Sequence, residues 1–216
     1  MSSSVKALCV RTVDYGENDK ILTLIAVNKG LITLRARGVR EMKSKLKLAS
    51  TPLSYGEYSY VETKQRKTLT GFSLIDNFMN CWRDLDKYAA SQIILEALDK
   101  TSKEEMEVDK ELYCALVSLS YINNENIVSY IYALWFLSKL LVMLGLDLTD
   151  YDNLTTDTKD LLLAVSKAEP DDLGSLEMSL PTITRLLSCV SLVLKSEMSI
   201  NLNSVNEAIK TIANSK

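Results

Sequence analysis

The chain has 216 residues, 47% of them apolar, with 25 Lys/Arg against 28 Asp/Glu for a net charge of -3. That is an ordinary globular composition, sufficient for one large domain or two small ones. It contains no histidine, which excludes Ser-His-Asp and Cys-His nucleophile systems and histidine-based metal sites.

The chain opens MSSSVKALCV, without the apolar run of a signal peptide, and a cytoplasmic location is expected. Residues 5–12 alternate as a first strand, with Leu8 and Val10 on one face. Residues 20–27 form a second β-rich run, and Asn28, Lys29 and Gly30 predict a tight reversal with Gly30 at positive φ. In residues 31–37, Ile32, Leu34 and Ala36 share one face, and Leu31, Thr33, Arg35 and Arg37 share the other. Six positive charges then crowd into thirteen residues: Arg35, Arg37, Arg40, Lys43, Lys45 and Lys47, against the single negative Glu41. In an acidic chain, so local a concentration marks a polyanion contact; the plain alternative is a solvated loop. Residues 51–63 predict a fourth strand, with Tyr58 and Tyr60 on one face and Tyr55, Glu57 and Val61 on the other. Lys64, Arg66 and Lys67 make a second basic turn before a fifth strand over 68–75.

Five short strands within eighty residues predict a small closed barrel, an OB-fold or alternatively an SH3-like barrel. OB-folds bind single strands by combining a positive groove with aromatic platforms. On such a scaffold Arg35 and Arg37 would bridge phosphates or stack on bases. The segment from Arg40 through Lys43 and Lys45 to Lys47 would be a mobile electrostatic arm, and Lys64, Arg66 and Lys67 would add contacts. Tyr58 and Tyr60 are the stacking candidates, with Tyr15 behind them; ordinary strand packing is the alternative for each. Charge is partitioned accordingly. Residues 1–80 hold 13 Lys/Arg and 7 Asp/Glu, a net of +6, and residues 81–216 hold 12 and 21, a net of -9.

From about residue 80 the periodicity turns helical. Residues 82–100 predict a helix, and Ser102 with Glu105 reads as a capping box opening another through about residue 122. Residues 127–146 are apolar at 16 of 20 positions. Lys139 lies well inside that run, where insertion into a membrane would cost about 2.5–3.5 kcal/mol, so a central buried helix ending near Gly145 is expected instead. Further helices are predicted over 157–168, closed by Pro170, from Pro181 to about Ser196, and from Ser204 with Glu207 to the C-terminus. A bundle around Trp135 and Phe136 would pack them. The expected fold class is α+β, with an OB-fold barrel over residues 1–78 and an all-α helical domain over 79–216.

Four dispersed cysteines, Cys9, Cys81, Cys114 and Cys189, include no C-x-x-C pair, so reduced thiols are expected rather than a zinc ribbon. There is no phosphate-binding G-x-x-x-x-G-K-[ST] loop and no G-x-G-x-x-G fingerprint. Asp150 and Asp152 imitate the start of a calcium loop, but Thr155 and Leu161 stand where Gly and Glu are required. Asp14, Glu17 and Asp19 are the nearest approach to a carboxylate cluster for a metal-dependent nuclease, and shaping a loop is their plainer role. A protein that is not an enzyme, with no cofactor and no metal, is expected.

The run VDYGENDKILTLI (13–25), the turn Asn28–Gly30, ARGVR (36–40), KSKL (43–46) and the pair Pro52–Leu53 together resemble RecO, a family of bacterial recombination-mediator and DNA repair proteins. The resemblance is dense over residues 5–75 and weaker beyond. It implies an OB-fold followed by a helical domain, binding of single- and double-stranded DNA, and annealing of complementary strands. It also implies work with RecR to load RecA on DNA coated with single-stranded DNA-binding protein, in the cytoplasm at the nucleoid. The helical domain of such proteins captures the acidic, aromatic tail of the single-stranded DNA-binding protein. Lys139, Arg185 and Lys195 are the candidate rim of that pocket here. Many members carry a four-cysteine zinc module after the apolar helix, whereas residues 147–173 contain no cysteine, and loss of that module is expected. The competing function is an adaptor whose basic barrel binds an acidic protein partner.

Overall fold

The computed structural model describes residues 2–64, 66–125, 128–146, 151 and 154–214. Alternating β-branched and aromatic residues produce five strands: β1 (Ser2–Tyr15), β2 (Asp19–Ala26), β3 (Gly30–Ala36), β4 (Tyr55–Glu62) and β5 (Lys67–Asp76). They close into a barrel in the order β1-β2-β3-β5-β4. β4 returns antiparallel to β1, pairing Val5 with Tyr58, and β5 meets β3 in parallel, pairing Thr68 with Arg35. This order is that of the OB-fold, and it sets aside the SH3-like alternative.

The barrel interior is built from the alternate residues of each strand, as the two-residue period requires. Val5, Ala7, Cys9, Leu22, Leu24, Ile32, Leu34, Tyr58, Tyr60 and Leu69 meet there. On β1 the inward set is thus Val5, Ala7 and Cys9. Leu8 and Val10 occupy the opposite face, also buried, and the register shifts between Cys9 and Arg11. Burial pushes the Cys9 thiol up to about 12, so it remains a protonated packing group.

The basic segment between β3 and β4 is not an extended arm. It is a chain of turns, with Glu41 N–H donating to Gly38 O, Ser44 N–H to Glu41 O and Ser50 N–H to Lys47 O. Val39 and Ala49 insert into the barrel core and Leu46 packs against it, so the segment is fastened at intervals by apolar contacts. The β2–β3 turn has Asn28 at φ 58 and Gly30 at φ 69.

The chain divides into two compact units: Met1–Phe78 with Leu98–Leu112, and Met79–Ala97 with Tyr113–Lys216. In the first unit, residues 102–108 form a strap over the β2–β3 turn. Leu31 N–H donates to Lys103 O at 3.0 Å, Glu105 N–H to Lys29 O at 3.2 Å, and Asn28 N–H to an Asp109 carboxylate oxygen at 2.8 Å. The expected capping box at Ser102 and Glu105 is therefore wrong. Glu105 is left-handed at φ 59, and the next helix starts only at Asp109. Tertiary backbone bonds to β3 and to the β2–β3 turn outweigh the local signal.

The helices are α1 (Leu85–Thr101), α2 (Asp109–Asn124), α3 (Tyr130–Met143), α4 (Thr156–Lys167), α5 (Leu180–Met198) and α6 (Asn203–Asn214). α3 is the centre of the second unit, buried almost all round, and packs against α4 and α5. The Trp135 indole N–H donates to Ala168 O at 2.9 Å. Among the described residues no helix is long and apolar enough to cross a membrane. Pro170 opens a 3-10 turn after α4, and Ser179, with Pro181 behind it, caps α5. Ser204 lies inside α6 rather than capping it, and both its N–H and its hydroxyl donate to Glu96. None of the four cysteines is in a disulfide; Cys9 and Cys81 are buried, Cys114 and Cys189 partly so. Asp150 and Asp152 lie outside the described residues.

Candidate nucleic-acid interface

The end of β1, the outer faces of β2 and β3, and the β4–β5 turn enclose an open cleft of about 410 Å³. Tyr15, Ile21, Thr33, Arg35, Lys64, Arg66 and Lys67 line it, together with the carboxylates of Glu62 and Glu104. Two basic groups that are thirty residues apart in sequence thus share one concave surface. The reason is the barrel's closure: β5 meets β3 at Thr68 and Arg35, so the turn that precedes β5 lies beside the outward side chains of β3.

Arg35 is held firmly. Its Nε donates to Asp19 Oδ2 at 2.7 Å and its Nη2 lies 2.5 Å from the same oxygen. The other oxygen of Asp19 accepts from Gly38 N–H at 2.8 Å. The Gly38 amide and then the Arg35 guanidinium hold the Asp19 carboxyl below the usual carboxylate range. The Arg35 guanidinium also lies over the ring of Tyr15, 4.9 Å from its centroid. Tyr15 itself is 45% exposed.

Arg40 is engaged in the same corner. Its backbone N–H donates to Asn18 O at 3.0 Å, and its guanidinium reaches Gly16 O and the Asp14 carboxylate, each at 3.3 Å. The DYGEND and ARGVR segments therefore interlock, and Asp14 and Asp19 are partners of arginines. Among the described residues no group of three His, Cys, Asp or Glu side chains is placed to hold a metal.

The other expected residues are distributed as follows. Arg37, Lys43, Lys45 and Lys47 are exposed on the basic segment outside the cleft lining, and the Lys47 ammonium donates to Met42 O at 2.9 Å. Lys64 and Arg66 are exposed at the cleft edge; Lys67, half-buried, lies 3.8 Å from Glu62. Tyr58 and Tyr60 are not the expected stacking platforms: at 0% and 1% exposure they are barrel core and offer no face to a base. The Tyr58 hydroxyl donates to Ala49 O and Ser54 O, its ring packs on Phe72, and burial drives its ionisation far upward. The Tyr60 hydroxyl accepts from Lys29 Nζ at 2.8 Å. Their strand alternates with Glu57 and Ser59, and the charge-free face turned inward. Glu104 carries no local sequence signal, because only the strap's bonds to β3 bring it to the cleft.

In the second unit, Leu180, Pro181, Thr184, Arg185, Ser188, Ile209 and Ile212 line an apolar groove of about 360 Å³ between α5 and α6. Arg185 is on its rim, whereas Lys139 lies over the Trp135 ring and Lys195 is exposed near the end of α5. The three expected rim residues are therefore not gathered around this groove.

Residues 1–78 match the family model described as recombination protein O N terminal. The barrel over these residues belongs to the RecO family. It is 31% identical over 121 residues to the DNA repair protein RecO of Clostridium perfringens, covering 56% of this chain and 49% of that protein. It is 36% identical over 93 residues to RecO of Desulfitobacterium hafniense, covering 43% and 34%. RecO of Syntrophomonas wolfei is 26% identical over 144 residues, covering 65% and 56%. The chain thus spans about half, or less, of the length of these RecO relatives.

Proposed function

We propose that this chain is a RecO-family DNA repair and recombination mediator, and that its barrel binds DNA in the cleft of Lys64, Arg66 and Lys67, beside Arg35. The observation that carries this is the convergence of the β4–β5 turn on β3 in one open basic cleft with an exposed tyrosine. Lys64, Arg66 and Lys67 there neutralise backbone phosphates and release counterions. Arg37, Arg40, Lys43, Lys45 and Lys47 extend the positive surface along the neighbouring segment. The naming of the relatives as DNA repair proteins supports the same reading.

The resemblance extends it further: binding of single and double strands, annealing of complementary strands, and cooperation with RecR in loading RecA on DNA covered by single-stranded DNA-binding protein. Each of these steps is binding and positioning, so the protein acts without catalysing a reaction, and work on DNA places it in the cytoplasm. The groove beside Arg185 is suited to an acidic, aromatic tail, because an apolar floor with a guanidinium on its rim matches that chemistry.

The test is the affinity for labelled oligonucleotides across a salt series. Three phosphates neutralised on a single strand give a slope of log K against log salt near about -2. Affinity indifferent to salt contradicts the reading. For the tail, Arg185→Glu weakens capture of an acidic aromatic peptide, and unchanged capture removes that assignment.

A further inference from the structure

The side chains of Tyr15, Arg35 and Asp19 form a layered arrangement that phosphate binding does not use. Asp19 accepts from Arg35 and from Gly38 N–H with its two oxygens, and its side chain is only 14% exposed. Arg35 is thereby fixed in one orientation, with its charge already matched by a carboxylate. Its planar guanidinium then lies over one side of the Tyr15 ring. Tyr15 stands at the end of β1, exposed, and lines the cleft beside Lys64, Arg66 and Lys67.

An arginine whose charge is compensated in this way is a poor phosphate ligand, because a phosphate would have to displace Asp19. It is a good support for an aromatic ring. A tyrosine with one side held by a guanidinium keeps few ring orientations, so little rotamer freedom remains to be lost when something stacks on the other side. Every nucleobase has an aromatic face, and stacking on a protein aromatic is insensitive to base identity.

We propose that Tyr15 is a base-stacking platform for an unpaired nucleobase of a single strand, and that Arg35, pinned by Asp19, is its positioning residue. The inference rests on the DNA reading of the cleft and specifies its ligand. A paired base in a duplex is covered on both faces by its neighbours and has no face to offer Tyr15. The platform therefore acts on single strands, while the lysines and Arg66 act on any backbone.

The test uses the full chain and measures fluorescence anisotropy with three probes: oligothymidylate, an abasic oligonucleotide of equal length, and a duplex. The wild-type chain prefers oligothymidylate over the abasic strand by about 5-fold or more. Tyr15→Ala brings that preference to near unity and leaves duplex affinity and the salt slope unchanged, whereas Tyr15→Phe keeps it. Asp19→Asn lowers the preference even though it makes the cleft one charge more positive. A purely electrostatic role would instead tighten all three probes. Retention of the preference in Tyr15→Ala, or uniform tightening in Asp19→Asn, overturns the platform. If the wild-type chain binds oligothymidylate and the abasic strand equally, the platform falls and the cleft reading stands. If it binds no probe, both fall.

Discussion

The carbonyl oxygen of Lys103 lies 2.4 Å from where a Cβ on Gly30 would stand, and Gly30 has φ +69. The strap approaches the β2–β3 turn so closely that only glycine fits, and the same contact brings Glu104 to the cleft. Gly30→Ala meets both the left-handed strain and a backbone clash, and is expected to destabilise the barrel unit by about 3 kcal/mol. The urea midpoint of unfolding measures it, and a midpoint at the wild-type value would show that the strap is loosely held.

Glu104 and Glu62 are the two carboxylates in an otherwise basic cleft. Glu104→Gln removes one repulsive charge at a distance of several ångströms through solvent, so DNA affinity is expected to rise about twofold at low salt. The gain should vanish at high salt. An equal gain at both salts would point to a different cause.

Lys64→Glu with Arg66→Glu removes two phosphate contacts from the cleft edge. The salt dependence of single-strand binding is expected to flatten by about 1.4 in slope. Lys43→Glu with Lys45→Glu changes charges outside the cleft lining and should weaken binding less. The reverse ranking would move the binding surface to the segment between β3 and β4.

Tyr58→Phe deletes a buried hydroxyl that donates to Ala49 O and Ser54 O. A loss of about 1–2 kcal/mol in stability is expected, with DNA affinity unchanged. Thermal unfolding and anisotropy on the same variant separate the two effects. A selective loss of DNA binding would return Tyr58 to the site.

Asp19 has a folded-state pKa below its ordinary 3.8, first through Gly38 N–H and then through Arg35. Its stabilising contribution is fully present above pH 3.8 and is lost as pH falls through the lowered folded-state value. The stability difference between wild type and Asp19→Asn should therefore be constant from pH 7 to about 5 and shrink below about 4. Denaturant midpoints from pH 3 to 7 give the curve, and a difference that widened on acidification would contradict the sign.

Much of the fold could be read from local pattern. Alternation over β3 told which side chains share a face, since a strand's side chains point to opposite faces in turn, and the burial of Ile32, Leu34 and Ala36 agrees. Within the apolar run at 127–146, Tyr130–Met143 form α3, at the middle of the helical unit. Where the reading failed, a distant partner had intervened. Ser102 and Glu105 look like a helix start until the β2–β3 turn and β3 bond to that backbone. The basic segment looks like an arm until Val39 and Ala49 are found in the core. The DYGEND and ARGVR segments, each a recognisable string, interlock through Asp19 with Gly38 and Asp14 with Arg40, pairings that neither string contains.

The concentration of positive charge and the five-strand barrel were determined by the sequence itself, because charge and alternation are properties of neighbouring residues. Which charges face a common cleft was decided only by the tertiary structure. Barrel closure sets Lys64, Arg66 and Lys67 beside Arg35, turns Tyr58 and Tyr60 inward and leaves Tyr15 outside. Those are consequences of strand order and inward facing, and both are settled by contacts between residues remote in the chain.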